Sequence, residues 1–93
     1  MAKYDIQVIG DHGAPVYEGA DTLTKTRIKA MKLAKKDAVA MIYEGYREAE
    51  KIYFDELNHL PHSFVCLQYG DKGKKSATYV VSPKTGRLGK RLW

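Results

Sequence analysis

The sequence has little of what stabilises secreted or membrane-spanning proteins. Cys66 is its single cysteine, so no disulfide can form within the chain, and no basic-then-apolar leader opens it. The longest unbroken apolar run, 38–43, has six residues, whereas a membrane-spanning helix needs about 20. We therefore expect a cytoplasmic protein without a membrane segment.

The chain is also short, which limits both its domain count and its chemistry. Ninety-three residues, of which 44% are hydrophobic and 29% charged, are typical of one small globular domain. A chain of this size buries roughly 60–65% of the surface that its unfolded form exposes, which leaves little room for an enclosed active site. We expect residues 1–93 to form a single domain that holds no cofactor and is not an enzyme.

Acidic residues are scarce in two segments that are rich in lysine and arginine. The net charge is +5, but residues 25–36 carry six basic residues and no acidic one. Residues 57–93 carry seven basic residues against Asp71 alone, whereas 1–24 and 37–56 are acidic. A chain selected only for solubility can intersperse its charges, so such blocks indicate an anionic partner.

The first third of the sequence predicts a β-hairpin followed by a helix. Alternation of apolar residues over 4–9 and turn-forming residues at 10–13 predict a hairpin with a second strand near 15–18. Hydroxyl and carboxylate side chains at 21–24 can cap the helix that follows, which is rich in good helix formers. We predict one main amphipathic helix over about 23–36.

The middle of the chain is less clear. We favour a buried strand at 38–43, because a single helix from 23 to 57 would place Gly45 in its interior. The segment 46–57 stays open between helix and strand, since its first residues suit a helix and its last ones a strand.

The last third predicts antiparallel strands. β-rich runs at 63–69 and 76–82 flank a lysine-rich turn at 70–75 and predict a second hairpin. A tight turn at 82–86 follows, and 87–93 is either a final strand or a loosely attached basic tail. The whole predicts an α+β fold, with an N-terminal hairpin and antiparallel strands that form a single small sheet packed on the helix.

Four lysines of the predicted helix fall on one stripe of its surface. At 100° per residue they lie within about 60° of one another, away from the apolar arc, and they extend along about 16 Å of helix. Such a row can follow the phosphates of a nucleic-acid strand, or it can be an ordinary solvated face. No acid lies between these like charges, which favours an anionic ligand. The residues are Lys25, Lys29, Lys32 and Lys36.

Five further cations are candidate secondary contacts. If 87–92 is extended, Arg87 and Arg91 face one way and the two leucines of this segment face the other. The lysines near 70–75 have a simpler explanation as well, because lysine protects exposed hairpins from aggregation. The candidates are Lys72, Lys74, Lys75, Arg87 and Arg91.

The sequence offers little support for catalysis or metal binding. Asp55, His59, His62 and Cys66 are residue types that bind zinc, but Pro61 separates the histidines and the cysteine falls in a predicted strand. The glycine- and lysine-rich turn does not have the spacing of a P-loop. We predict neither catalytic residues nor a metal site.

These observations favour a small non-enzymatic module that binds nucleic acid through its phosphates. The alternative is a protein-interaction module, such as an inhibitor or adaptor of the kind that phages and mobile elements encode, which docks the same lysines on an acidic surface of a larger protein. A third possibility is a homodimer in which residues 37–56 meet residues 25–36 of a second copy.

Overall fold

A seven-stranded antiparallel sheet with one helix packed on it makes up the described part of the chain, so the predicted α+β fold is confirmed. The computed structural model describes residues 2–10, 13–34, 38–54, 64–70 and 75–92. The elements are β1 (Tyr4–Ile9), β2 (Val16–Glu18), α1 (Leu23–Leu33), β3 (Val39–Glu44), β4 (Arg47–Phe54), β5 (Phe64–Tyr69), β6 (Lys75–Val81) and β7 (Leu88–Arg91).

The strands follow the order β2-β1-β3-β4-β5-β6-β7. Each strand lies next to the one before it in the chain, except at the step from β2 to β3, because β3 pairs with the other edge of β1. The helix makes that step and lies on one face of the sheet, against β1, β3 and β4. The predicted N-terminal hairpin and the strand favoured at 38–43 are both present. Within the segment 46–57, for which the sequence allows helix or strand, residues 47–54 form the strand β4. Within 87–93, for which the sequence allows a final strand or a basic tail, residues 88–91 form the strand β7.

The start of α1 is fixed by a single capping residue. Thr22 has an extended backbone, and its side-chain oxygen accepts a hydrogen bond from the backbone N–H of Lys25 at 3.3 Å. The cap therefore satisfies one of the free N–H groups at the start of the helix. The helix ends at Leu33, where the N–H of Ala34 still bonds the carbonyl of Ala30. The predicted end near residue 36 lies outside the described residues.

The core lies between α1 and the face of the sheet that it covers. Ile6 pairs with Ile42 across β1 and β3, and Ile52 pairs with Cys66 across β4 and β5. All four side chains are fully buried. Alternation along the strands sends these residues toward the helix and their neighbours to the other face. In the described part of the chain, no helix is long and apolar enough to cross a membrane.

Candidate functional site

Three lysines form an exposed row on the outer side of α1, which we call the basic ridge: Lys25, Lys29 and Lys32. The opposite side of the helix is buried through Thr26, Arg27, Ala30 and Met31. Lys36, the fourth lysine of the predicted stripe, lies outside the described residues. At 1.5 Å per residue, the three lysines extend along about 10 Å of the helix axis.

Among the described residues, none of the ridge lysines forms an ion pair with a carboxylate. Lys29 donates a hydrogen bond to the backbone carbonyl of Glu18, which is a neutral acceptor rather than a carboxylate. Two acids lie beside Lys25, at one end of the ridge. Glu18 and Asp21 line an open cleft of about 370 Å³ together with Lys25, and each carboxylate accepts a backbone N–H from residues 2–3.

Two acids of β3 and β4, Glu44 and Glu50, are engaged elsewhere in the fold. Glu44 forms ion pairs with Lys3 at 3.2 Å and Arg47 at 3.0 Å. Hydrogen bonds from Arg47 and then Lys3 lower the pKa of the Glu44 carboxyl. Glu50 is buried, 1% exposed, beneath the helix. Neither of these two carboxylates reaches the outer side of α1, so the ridge keeps its charge.

Arg27 is the one basic residue of α1 that faces inward, and it is 8% exposed. Its guanidinium forms two hydrogen bonds with the carboxylate of Glu50, from Nε at 2.7 Å and from Nη2 at 2.6 Å. Gln68 donates to the same carboxylate at 2.8 Å. Burial by itself lowers the pKa of Arg27, but the bonds and charge of Glu50 outweigh it, and the pKa is raised. Arg27 is therefore a permanently charged structural residue and is not free to bind a ligand.

A second group of cations lies beside the helix, in the turn between β6 and β7. Lys84 and Arg87, which we call the basic turn, are both exposed. Gly86 between them is buried and lies against the first turns of α1, close to Thr24 and Ile28. The sequence groups Lys84 with Arg87 in one basic C-terminal segment, but it predicts only Arg87 as a contact and does not place either residue beside α1. Their place beside α1 depends on a contact between residues about 60 positions apart, which no local pattern records.

The described part of the structure does not place the other predicted contacts at this surface. Arg91 is exposed on β7, where an irregularity in the pairing places Arg91 opposite Tyr79 and Leu88 opposite Val81. The strict alternation predicted for 87–92 is therefore broken. Lys72 and Lys74 lie outside the described residues. Lys75 begins β6, and its side chain is not described.

The chemical alternatives find no support in the described part of the chain. Cys66 is a fully buried core residue of β5, and burial raises the pKa of its thiol, so the reactive thiolate is disfavoured. Asp55, His59 and His62 lie outside the described residues. Elsewhere, the described residues contain no group of three side chains that could hold a metal ion.

Comparisons with known proteins found no relative of this chain. No protein-family model matches the sequence, and neither a curated protein nor a solved structure matches it. The function is therefore argued from the surface itself.

Proposed function

We propose that this protein is a small non-enzymatic module that binds nucleic acid through its phosphate groups. The basic ridge is the main contact, and Lys36, which the sequence predicts as a contact, lies outside the described residues. The observation that supports this proposal is that the three ridge lysines are exposed and form no ion pair with a described carboxylate, while Glu44 and Glu50 are held by other cations. The further contacts are Lys72, Lys74, Lys75, Arg87 and Arg91.

The energetics of the helix favour a ligand over a merely solvated surface. Lys25 and Lys29 are four residues apart and Lys29 and Lys32 are three apart, so neighbouring like charges weaken the isolated helix slightly. No acidic residue lies in the first turn of α1, where a negative charge would stabilise it. A polyanion removes this repulsion on binding. About 10 Å of duplex axis carries roughly six phosphate charges, enough for the whole ridge.

The test is a charge reversal on the ridge. The double variant Lys29→Glu, Lys32→Glu is expected to bind generic DNA and RNA about tenfold or more weakly, and about equally so for every sequence. Binding by the original protein should fall steeply between 50 and 200 mM salt, by about 0.9 log units of affinity per log unit of salt for each phosphate contact. Fluorescence anisotropy with labelled oligonucleotides measures both quantities.

A matched control separates the ridge from net charge. Lys51→Glu, Lys90→Glu changes the net charge by the same amount, with Lys51 on the opposite face of the sheet and Lys90 on β7. We expect this control to lose much less affinity. Affinity of the original protein that does not change with salt, or equal losses in both variants, would contradict the proposal.

A protein partner is the second candidate function, and the edge strand β2 favours it. Val16 and Tyr17 are 66% and 39% exposed, and among the described strands β2 pairs with β1 alone. Exposed apolar side chains on an unpaired strand edge suit a protein surface better than phosphates. Capture of partners from a lysate, with and without nuclease, distinguishes the two candidates. Nucleic acid as the partner predicts that nuclease abolishes capture, whereas a direct protein partner survives it.

The proposed charge-paired homodimer finds less support. It needs the acids of 37–56 to be available to the basic helix of a second copy, and Glu44 and Glu50 are already paired within the chain. Glu48 is exposed and remains as an acid of β4 that forms no ion pair among the described residues.

A further inference from the structure

The basic turn packs closely on α1, with almost no space between Gly86 and the helix. Gly86 has a positive φ of +70°, and a methyl group at its Cα would overlap the carbonyl oxygen of Thr24. The side chain of Ile28 would be 3.0 Å from the same methyl group. Only glycine meets both conditions, so the backbone of the turn lies directly on the backbone of the helix.

Hydrogen bonds hold the turn in this position. Nη1 of Arg27 donates to the carbonyl oxygen of Gly86 at 3.2 Å, while the rest of the same guanidinium is fixed by Glu50. Within the turn, the carbonyl of Ser82 accepts from the N–H of Gly86 at 2.8 Å, and the N–H of Ser82 donates to the carbonyl of Arg87 at 3.1 Å. The turn is thus tied both to the helix and to itself.

This close packing brings the basic ridge and the basic turn near each other. The contact at Gly86 puts the Cα atoms of Thr24 and Gly86 at most about 6 Å apart. Lys25 follows Thr24 directly and Arg87 follows Gly86 directly, and each step between consecutive Cα atoms adds about 3.8 Å, so the Cα atoms of Lys25 and Arg87 lie within about 14 Å. Both side chains are long and exposed. They can therefore contact phosphates of one ligand at the same time.

We infer that the basic turn is a second arm of the phosphate-binding surface, positioned by Gly86 and Arg27, and that the ligand is double-stranded nucleic acid. This inference rests on the proposed function. Neither α1 nor the segment 82–87 contains an aromatic residue. Single strands are bound largely by stacking of bases on aromatic side chains, whereas a duplex presents phosphates at fixed spacing to a rigid set of cations.

The variant Lys84→Gln, Arg87→Gln tests the second arm without disturbing the fold, because both side chains are exposed. We expect its affinity for a duplex of about 20 base pairs to fall about tenfold at about 0.1 M salt, and the slope of log affinity against log salt to decrease by about 1.8, which corresponds to two phosphate contacts. The original protein should bind the duplex more tightly than either separated strand. Thermal melting of the variant confirms that it is folded.

The control removes the same charge from other surfaces through Lys51→Gln, Lys90→Gln, and we expect it to lose less than about threefold. Equal losses in both double variants, or an unchanged salt slope for Lys84→Gln, Arg87→Gln, would overturn the second arm. Tighter binding of single strands would overturn the choice of duplex. If the second arm or the choice of duplex fails but Lys29→Glu, Lys32→Glu still weakens binding, the proposed function stands without this inference. If the original protein binds no nucleic acid, the proposed function and this inference both fail.

Discussion

Two glycines with similar φ angles have very different surroundings. Gly45 in the β3–β4 turn has a φ of +64°, and a Cβ atom at this residue would have no other atom within 4 Å. Gly86 has a φ of +70° and lies against α1. The positive φ is the requirement of a tight turn at both sites. Only at Gly86 does close packing of two elements add to it.

Replacing each glycine with alanine separates these two effects. Gly45→Ala should cost about 1–2 kcal/mol in the free energy of unfolding, because alanine tolerates the left-handed region poorly. Gly86→Ala should cost about 1–3 kcal/mol more than that, since the helix and turn must move apart. Urea denaturation of both variants measures the difference. Equal destabilisation would show that the contact between Gly86 and Thr24 contributes nothing.

At the level of elements, Arg27 and Glu50 connect α1 to three parts of the sheet. Glu50 belongs to β4, Gln68 from β5 donates to it, and Arg27 also bonds the turn after β6. Among the described residues, no buried side-chain nitrogen or oxygen lacks a hydrogen-bond partner, so this network is fully satisfied. A satisfied buried network keeps the packing of these elements specific.

Breaking this ion pair from one side should destabilise the protein strongly. Arg27→Met leaves the Glu50 carboxylate buried without its cation, and we expect a loss of about 3–5 kcal/mol. The double variant Arg27→Met, Glu50→Leu should recover much of this loss, because it leaves no uncompensated charge. A double-mutant cycle by chemical denaturation measures the coupling. A double variant whose loss equals the sum of the two single losses would mean that the two groups act independently.

The ion pair between Arg27 and Glu50 is a feature that the sequence alone does not predict. Glu50 resembles a solvated acid in the sequence, yet it is buried, and Ala49 beside it is buried as well because the pairing of β3 with β4 is irregular between Ile42 and Tyr43. Strict alternation therefore fails in β4, which adds to the mixed composition that leaves 46–57 open between helix and strand in the sequence. The hairpins and α1 are predictable because their signals are local, whereas the partner of Glu50 lies 23 residues away.

The candidate site also has one part that the sequence predicts and one part that it does not. The exposure of the ridge is predictable because a helical wheel separates Lys25, Lys29 and Lys32 from the apolar arc. The position of the basic turn against α1 is not predictable, because it depends on how the β6–β7 connection returns to the helix. That return is set by the packing of the whole sheet, which the local pattern around Lys84 does not encode.

At the scale of the whole molecule, the order of the strands distributes stability unevenly. β3, β4 and β5 are inside the sheet and supply fully buried core residues, including Ile42, Ile52 and Cys66. β2 and β7 form the two edges, and all three residues of β2 are exposed. Strands with fewer buried contacts open at lower free energy than the core does.

Hydrogen exchange under native conditions should therefore rank the strands by position. The N–H of Gly19 bonds Tyr4 at 2.9 Å beside one edge, and the N–H of Leu92 bonds Thr78 at 2.7 Å beside the other, so both bonds are of good geometry. We nevertheless expect these two amides to exchange about 100-fold or more faster than the hydrogen-bonded amides of β3 to β5, because they open locally without global unfolding. Added urea should accelerate the central amides much more than the edge amides, since only global opening exposes a large surface. Edge amides that exchange as slowly as the central ones, with the same dependence on urea, would mean that the sheet opens as a single unit.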